Sequence, residues 1–278
     1  MVVRAYAKIN LTLDILGKRE DGYHLIDSVF QSVGIFDTLR VEKENGLNVL
    51  CGGVNEQKNT AFIAAKEFFK TTGITPSARI EIDKNIPFLS GLGGGSADAV
   101  AVIIALDKIY KTNLKKQELS RIALGCGADV PFFLKGGTVR VGGIGEKTGP
   151  LPYLEGFWAV IVKHGEKKST MDMYGQFDKS GVSTAFTEKF IKCAENFDYK
   201  GAFGNMGNAF SAVASDNRLL SELRSENPYG VSLSGSGPSH FAVFADGESA
   251  LAAAEKLSGK GYSPYAVPFT SRAYEIIE

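Results

Sequence analysis

Residues 5–15 alternate cleanly, with Ala5, Ala7, Ile9, Leu11, Leu13 and Ile15 on one face and Tyr6, Lys8, Asn10, Thr12 and Asp14 on the other. A period of two predicts a strand on which Lys8, Asn10 and Thr12 point the same way. Those three side chains either form a solvated outer face or line a polar site, and spacing alone does not decide between the two. Shorter alternating stretches at 38–41 and 78–82 predict further strands. At 60–70 the period becomes helical, with Asn59 or Thr60 placed to N-cap the helix and Gly73 to stop it. Residues 96–110 carry Ala97, Ala99, Val100, Val102, Ile103, Ile104, Leu106 and Ile109, with charge only at Asp98, Asp107 and Lys108, which predicts a helix buried nearly all round. Residues 115–124 repeat the helical spacing, with Leu119, Ile122 and Ala123 inward.

Pro150 and Pro152 mark a boundary between a first domain, 1–152, and a second, 153–278. Beyond it, strands are expected at 158–163, 231–233, 241–244 and 262–267, and helices at 184–194, 205–214 and 248–257. This β-α-β-β-α-β order predicts an antiparallel sheet backed by helices, a ferredoxin-like α+β half.

Between the strand at 78–82 and the buried helix stands Gly91-Leu92-Gly93-Gly94-Gly95-Ser96-Ala97-Asp98. Glycines let consecutive backbone N–H groups turn toward one anion, and the following helix adds its positive end. The expected ligand is a polyphosphate such as a nucleotide; a plain flexible turn is the alternative. No Gly-Lys-Ser/Thr follows, so a Walker loop is excluded, and neither His-Arg-Asp nor Asp-Phe-Gly occurs, which excludes the protein-kinase set. The glycine spacing also fails the dinucleotide fingerprint. Ser234-Gly235-Ser236-Gly237-Pro238 is a second small-residue loop, either an anion contact or a hairpin turn.

Composition narrows the picture further. The 278 residues are 44% hydrophobic and 22% charged, with 31 basic and 31 acidic side chains. A balanced charge predicts no bulk attraction to nucleic acid or an anionic membrane, although Lys163, Lys167 and Lys168 form a small basic cluster. No run approaches 18 apolar residues, and Arg4 and Lys8 sit inside a strand pattern rather than before an apolar run. Cys51, Cys126 and Cys193 are widely spaced and fit no metal motif, which points to a reducing cytoplasm.

Two further places carry candidate chemistry. Gly17 to His24 form a polar turn ending in Tyr23-His24. Asp129, in Gly127-Ala128-Asp129-Val130-Pro131-Phe132-Phe133, stands before an apolar wall that would desolvate it; it is either a general base or an Asx-type cap.

Lys8-Ile9-Asn10-Leu11 with Asp21-Gly22-Tyr23-His24, then Pro87 through Ala97, then Leu233 to Pro238, together resemble the GHMP small-molecule kinases. More narrowly, with Gly127-Ala128-Asp129-Val130-Pro131 and Gly143-Ile144-Gly145-Glu146, the chain is similar to the branch that phosphorylates 4-diphosphocytidyl-2-C-methyl-D-erythritol in the non-mevalonate isoprenoid pathway. The match covers nearly the whole chain and is dense through residue 174. The resemblance implies an N-terminal ribosomal-protein-like α/β domain, a ferredoxin-like C-terminal domain and an active site in the cleft between them, in a monomer or weak homodimer. It implies ATP on Pro87, Phe88, Leu89, Ser90, Gly91, Leu92, Gly93, Gly94, Gly95, Ser96 and Ala97, with Mg²⁺ offsetting the charge and Ser96 a contact. Asp129 would take the proton of the 2-hydroxyl, Lys8 would orient Asp129 and stabilise the phosphoryl group, and Asn10 would hold the acceptor. His24 would hydrogen-bond the cytosine and Tyr174 stack on it, with Tyr23, Lys84, Ile144 and Thr170 nearby. The chain departs from the family at Leu89-Ser90, Asn208-Ala209-Phe210 and Ser239-His240. Rival readings are a GHMP kinase for another alcohol, such as mevalonate or homoserine, and a relative that binds nucleotide without catalysis.

Overall fold

A computed structural model describes residues 1–52, 56–214 and 216–278. The first sheet is organised on a long antiparallel hairpin of β1 (Val2–Lys18) and β2 (His24–Glu42). The strands β3 (Gly46–Cys51) and β4 (Ser77–Asp83) extend it on the far side of β2, and β5 (Thr138–Gly143) and β6 (Lys147–Pro150) attach to the first half of β2. The stretch expected at 38–41 is thus the tail of a 19-residue strand.

Three helices cover this sheet: α1 (Thr60–Thr72), α2 (Gly94–Tyr110) and α3 (Lys116–Cys126). Asn59 caps α1 by accepting from the Ala61 N–H at 2.9 Å, and Gly73 ends it at φ +71°. Every residue of α2 from Ala97 to Leu106 is buried, as its composition predicts.

From Ala7 to Ile15 neither face of β1 is solvated, because bulges divide its alternation between two cores. Val3, Ala5, Leu13 and Ile15 pack under the helices, whereas Ala7, Ile9 and Leu11 pack against the second half of the chain. The register breaks between Tyr6 and Ala7 and again between Asn10 and Thr12, where Leu11 is the extra residue. Each slip changes which face a side chain meets. Lys8 and Asn10 therefore share their side with Leu13 rather than Thr12; Thr12 turns to Thr187, with the two hydroxyl oxygens 2.8 Å apart. The expectation of a single polar face is corrected accordingly.

The second sheet contains β7 (Trp158–Lys163), β9 (Gly230–Leu233), β10 (Ser239–Phe244) and β11 (Pro264–Pro268) in the order β11-β7-β10-β9, antiparallel throughout. Helices α7 (Asn217–Ser225) and α8 (Gly247–Gly259) cover one face through Leu219, Leu223, Ala253 and Leu257. The other face presents Ala159, Ile161, Phe241 and Val243 to Ala7, Ile9 and Leu11, joined by α5 (Thr187–Glu195) and α6 (Tyr199–Gly204).

The boundary expected between 152 and 153 falls in the connector from β6 to β7. Two later strands nonetheless return to β1: β8 (Gly207–Asn208) pairs in parallel with Thr12 and Leu13, and β12 (Tyr274–Ile276) pairs antiparallel with Val3 to Ala5. The helix expected at 205–214 is not formed. Its residues make β8 and a short 3-10 turn at Ala209–Ala212, because pairing with β1 and the Asn208 cap on the Phe210 N–H satisfy the backbone instead. A helix absent from the sequence reading, α4 (Thr170–Ser180), follows β7 and is capped by Ser169. No described helix is long and apolar enough to cross a membrane.

Candidate active site

The glycine loop is held from beneath by a buried ion cluster. Lys84, just past β4, donates to Asp98 on α2 at 2.7 Å and to Asp37 on β2. The second oxygen of Asp37 accepts from the N–H groups of Asn85 and Ile86 at 2.7 and 2.8 Å. Burial raises the Asp98 carboxyl to about 7 against the pull of Lys84. The cluster joins β2, the exit of β4 and the second turn of α2, so the loop between them starts and ends at fixed points. Lys84 is engaged there and does not line the cleft that holds Tyr174.

Above the cluster, Gly91 and Gly93 adopt φ of +82° and +74°. A Cβ on Gly93 would lie 2.7 Å from the Phe133 ring and 3.1 Å from the Lys8 stem, and one on Gly91 would run into the Ser234 carbonyl oxygen. Glycine is required at both places. The Leu92 carbonyl accepts from the Lys8 N–H at 2.9 Å, tying the loop to β1. Gly93 then opens α2 with no side-chain cap, which leaves first-turn N–H groups available to an anion. The second small-residue loop closes on the first: Ser234 donates to the Gly91 carbonyl at 3.0 Å, and the Ser239 N–H to the Ser90 carbonyl at 3.2 Å. Phe88 and Leu89 remain exposed at the rim.

The cleft beside these loops is lined by Lys8, Asn10, Gly91, Gly93, Asp129 and Lys167, among others. Lys8 is 2% exposed, and its Nζ stands 3.5 Å from an Asp129 carboxylate oxygen, 4.4 Å from the Phe30 ring centroid and 2.6 Å from the Asn10 oxygen to which it donates. Burial lowers the Lys8 pKa, opposed by the charge of Asp129. Asp129 precedes a 3-10 helix, Val130–Leu134, but makes no side-chain cap, so its half-exposed carboxylate is available to the cleft. A buried ammonium beside an accessible carboxylate can bind an anion and accept a proton at one point.

At the far end, Tyr174 stacks on His24, with ring centroids 4.3 Å apart and planes at 11°. His24 Nε2 lies 2.7 Å from Asp178, one turn further along α4, which also takes Lys18 at 3.3 Å. Phe210 meets the Tyr174 ring edge-on, and burial raises the Tyr174 hydroxyl to about 12. Thr170 Oγ1 is 3.1 Å from Ser236 Oγ, bridging α4 to the second loop. Ile144 occupies the turn between β5 and β6, next to the strand that carries Ile26. Tyr23 is 59% exposed, away from the cleft lining. Thus Lys8, Asn10, Gly91, Gly93, Asp129, Thr170 and Tyr174 line one cleft, His24 stacks at its end, and Tyr23 and Lys84 stand apart.

Sequence reasoning missed Lys167 and Asp178. The only signal for Lys167 was a small basic cluster, and Asp178 is legible only once 170–180 is known to be a helix, where it falls four residues after Tyr174.

Residues 59–137 match the family model described as GHMP kinases N terminal domain, and 209–263 the one described as GHMP kinases C terminal. A 4-diphosphocytidyl-2-C-methyl-D-erythritol kinase from Caldicellulosiruptor bescii is 39% identical over 268 residues, covering 92% of this chain and 94% of the relative. The enzyme of that name from Clostridium beijerinckii is 38% identical over 88% of this chain and 91% of the relative. A crystal structure of 4-(cytidine 5'-diphospho)-2C-methyl-D-erythritol kinase superposes with a TM-score of 0.80 at 29% identity, covering 97% and 99% of the two chains. A homoserine kinase from Cytophaga hutchinsonii, with a TM-score of 0.76 at 19% identity over 100% of this chain and 97% of that one, shares the fold. With the cleft, both GHMP domain matches and near-full-length relatives in agreement, the chain belongs to the 4-diphosphocytidyl-2-C-methyl-D-erythritol kinase family of GHMP kinases.

Proposed function

We propose that the chain transfers the γ-phosphoryl group of ATP to the 2-hydroxyl of 4-diphosphocytidyl-2-C-methyl-D-erythritol. The observation that carries this reading is the Lys8–Asp129 pair, 3.5 Å apart and facing the glycine loop in a chain with near-full-length relatives of that name. The acceptor oxygen attacks the γ-phosphorus as its proton passes to Asp129, and the bond to the β,γ-bridging oxygen breaks, releasing ADP. Lys8 offsets charge on the moving group and holds Asp129 in place, while Asn10 fixes the Lys8 ammonium through its side-chain oxygen. Phosphoryl transfer needs positioning and charge stabilisation rather than a covalent intermediate, and this arrangement supplies both.

Mg²⁺ fits as an ion carried on the phosphates. Among the described residues no group of three or more His, Cys, Asp or Glu side chains forms a metal cage. A Mg²⁺ ion that keeps its waters and phosphate oxygens needs no such cage, and the Ser96 hydroxyl on the first turn of α2 would contact it. When bound, the ion neutralises phosphate charge.

His24 and Tyr174 take the cytosine end of the acceptor, with Thr170 lining the same cleft as Tyr174, and Ile144, in the turn between β5 and β6, beside the acceptor. Asp178 holds one ring nitrogen of His24, so recognition of the base falls to the other nitrogen and to the Tyr174 face. The test is ADP release from ATP and Mg²⁺ with this acceptor, with mevalonate and with homoserine. Stimulation by the cytidyl acceptor alone is expected; equal stimulation by homoserine or mevalonate, or none by any acceptor, overturns the reading.

A further inference from the structure

Lys167 has no part in the roles above, yet it stands in the same cleft. It lies between β7 and α4, and its ammonium donates to Ser236 Oγ and to the Gly237 carbonyl, the latter at 2.8 Å. Those acceptors belong to the second small-residue loop, which is hydrogen-bonded to Gly91 of the first. Its neighbour Lys163 is directed elsewhere, to the Phe88 carbonyl at 2.7 Å. Lys8 enters the cleft from the first sheet and Lys167 from the second half of the chain, with Asp129 the carboxylate that both face.

Two ammonium groups and one carboxylate leave the pocket with surplus positive charge. Like charges drawn together out of water oppose one another, and an anion between them removes that cost. Removal from water and the nearby Lys8 lower the Lys167 ammonium to about 8, with Asp129 pulling the other way. Its fixed acceptors hold the ammonium in place before any ligand arrives, as a preorganised phosphate contact requires.

We propose that Lys167 grips the transferring phosphoryl group from the side opposite Lys8, as a second cation of the transfer site. The inference rests on the phosphotransferase reading and adds to it a residue contributed by the second half of the chain. The competing role is a clamp, in which Lys167 only shapes the loop at 234–237.

The test compares ATP and ADP binding, in Mg²⁺ without acceptor, together with turnover, for Lys167→Met, Lys167→Arg and Ser236→Ala. Loss of one charge-assisted contact to the γ-phosphoryl group should weaken ATP about ten- to a hundred-fold in Lys167→Met, leave ADP affinity nearly unchanged, and lower turnover by a similar factor. Lys167→Arg should restore most of the difference between ATP and ADP, and Ser236→Ala, which leaves the Gly237 carbonyl to hold the ammonium, should retain most of it. Equal weakening of ATP and ADP, unchanged ATP affinity, or a Ser236→Ala defect matching that of Lys167→Met would each overturn the proposal in favour of a clamp or no role. The nucleotide comparison uses no acceptor, so it stands apart from the reading of the substrate: a wild-type chain unstimulated by the cytidyl acceptor removes that reading while the ATP-to-ADP ratio still reports on Lys167.

Discussion

Lys8 is held between opposed demands. Burial favours its neutral form, while Asp129, the Asn10 oxygen and the Phe30 ring favour the cation. Asp129→Asn keeps the shape and removes both the proton acceptor and the counter-charge. Turnover should fall by roughly 10²–10⁴ while ATP still binds, checked by initial rates of ADP release beside an ATP titration. Near-normal turnover would remove Asp129 from the base role. A second prediction concerns pH. Lys167 titrates at about 8, so its ammonium is present below that pH and is lost above it. The charged groups facing it are Lys8 from β1 and Asp129 from the segment after α3, with Tyr174 of α4 lining the same cleft. Because kcat/KM reports the free enzyme, it should decline as pH rises through about 8 in the wild type, and the decline should move to higher pH in Lys167→Arg. A flat wild-type profile up to pH 10 would show that this ammonium is not needed. Lys8, Asn10 and Asp129 were legible only through the family resemblance that their local spellings carry, since spacing alone left each open between a site and a structural role. The exchange of Thr12 for Leu13 on the cleft wall was not, since a bulge at Leu11 is set by the partner strand and leaves no mark in the alternation.

The glycine loop and α2 act as one element, and their tolerance to side chains differs sharply from that of α3. Gly93→Ala places a Cβ at positive φ against Phe133 and Lys8, and should destabilise the chain by about 1–3 kcal/mol while lowering turnover. Gly125, near the end of α3, has nothing within 4 Å of an added Cβ, so Gly125→Ala should be neutral or stabilising by up to about 1 kcal/mol. Urea midpoints of the two variants check the contrast, and equal shifts would contradict it. Helices α1 and α2 were legible from caps and composition, which are local. The segment at 205–214 was not, because Gly207 and Asn208 are claimed by β1, far away in sequence. The length of β2 was missed for a related reason: its middle is buried on both sides, so it lacks a clean alternation.

At the scale of the whole molecule, the two halves share a core. Leu11, fully buried, packs in the cluster that joins β1 to Ile161, Phe203 and Phe241. Leu11→Ala should cost about 2–5 kcal/mol and lower one common melting transition rather than split it in two, which calorimetry would show. Two separate transitions would mean that the halves unfold independently. The α+β plan and the antiparallel, helix-backed sheet of the second half followed from element order along the chain. The joint core and the returning strands did not, because a linear pattern does not say which buried faces meet. The return of β12 to β1 also has a consequence during synthesis. Val3 to Ala5 leave the ribosome early, but their partner at 274–276 follows roughly 15 to 55 s later at about 5–20 residues per second. Throughout that interval the edge at Val3 to Ala5 lacks its partner, and that short stretch is open to pairing with another chain.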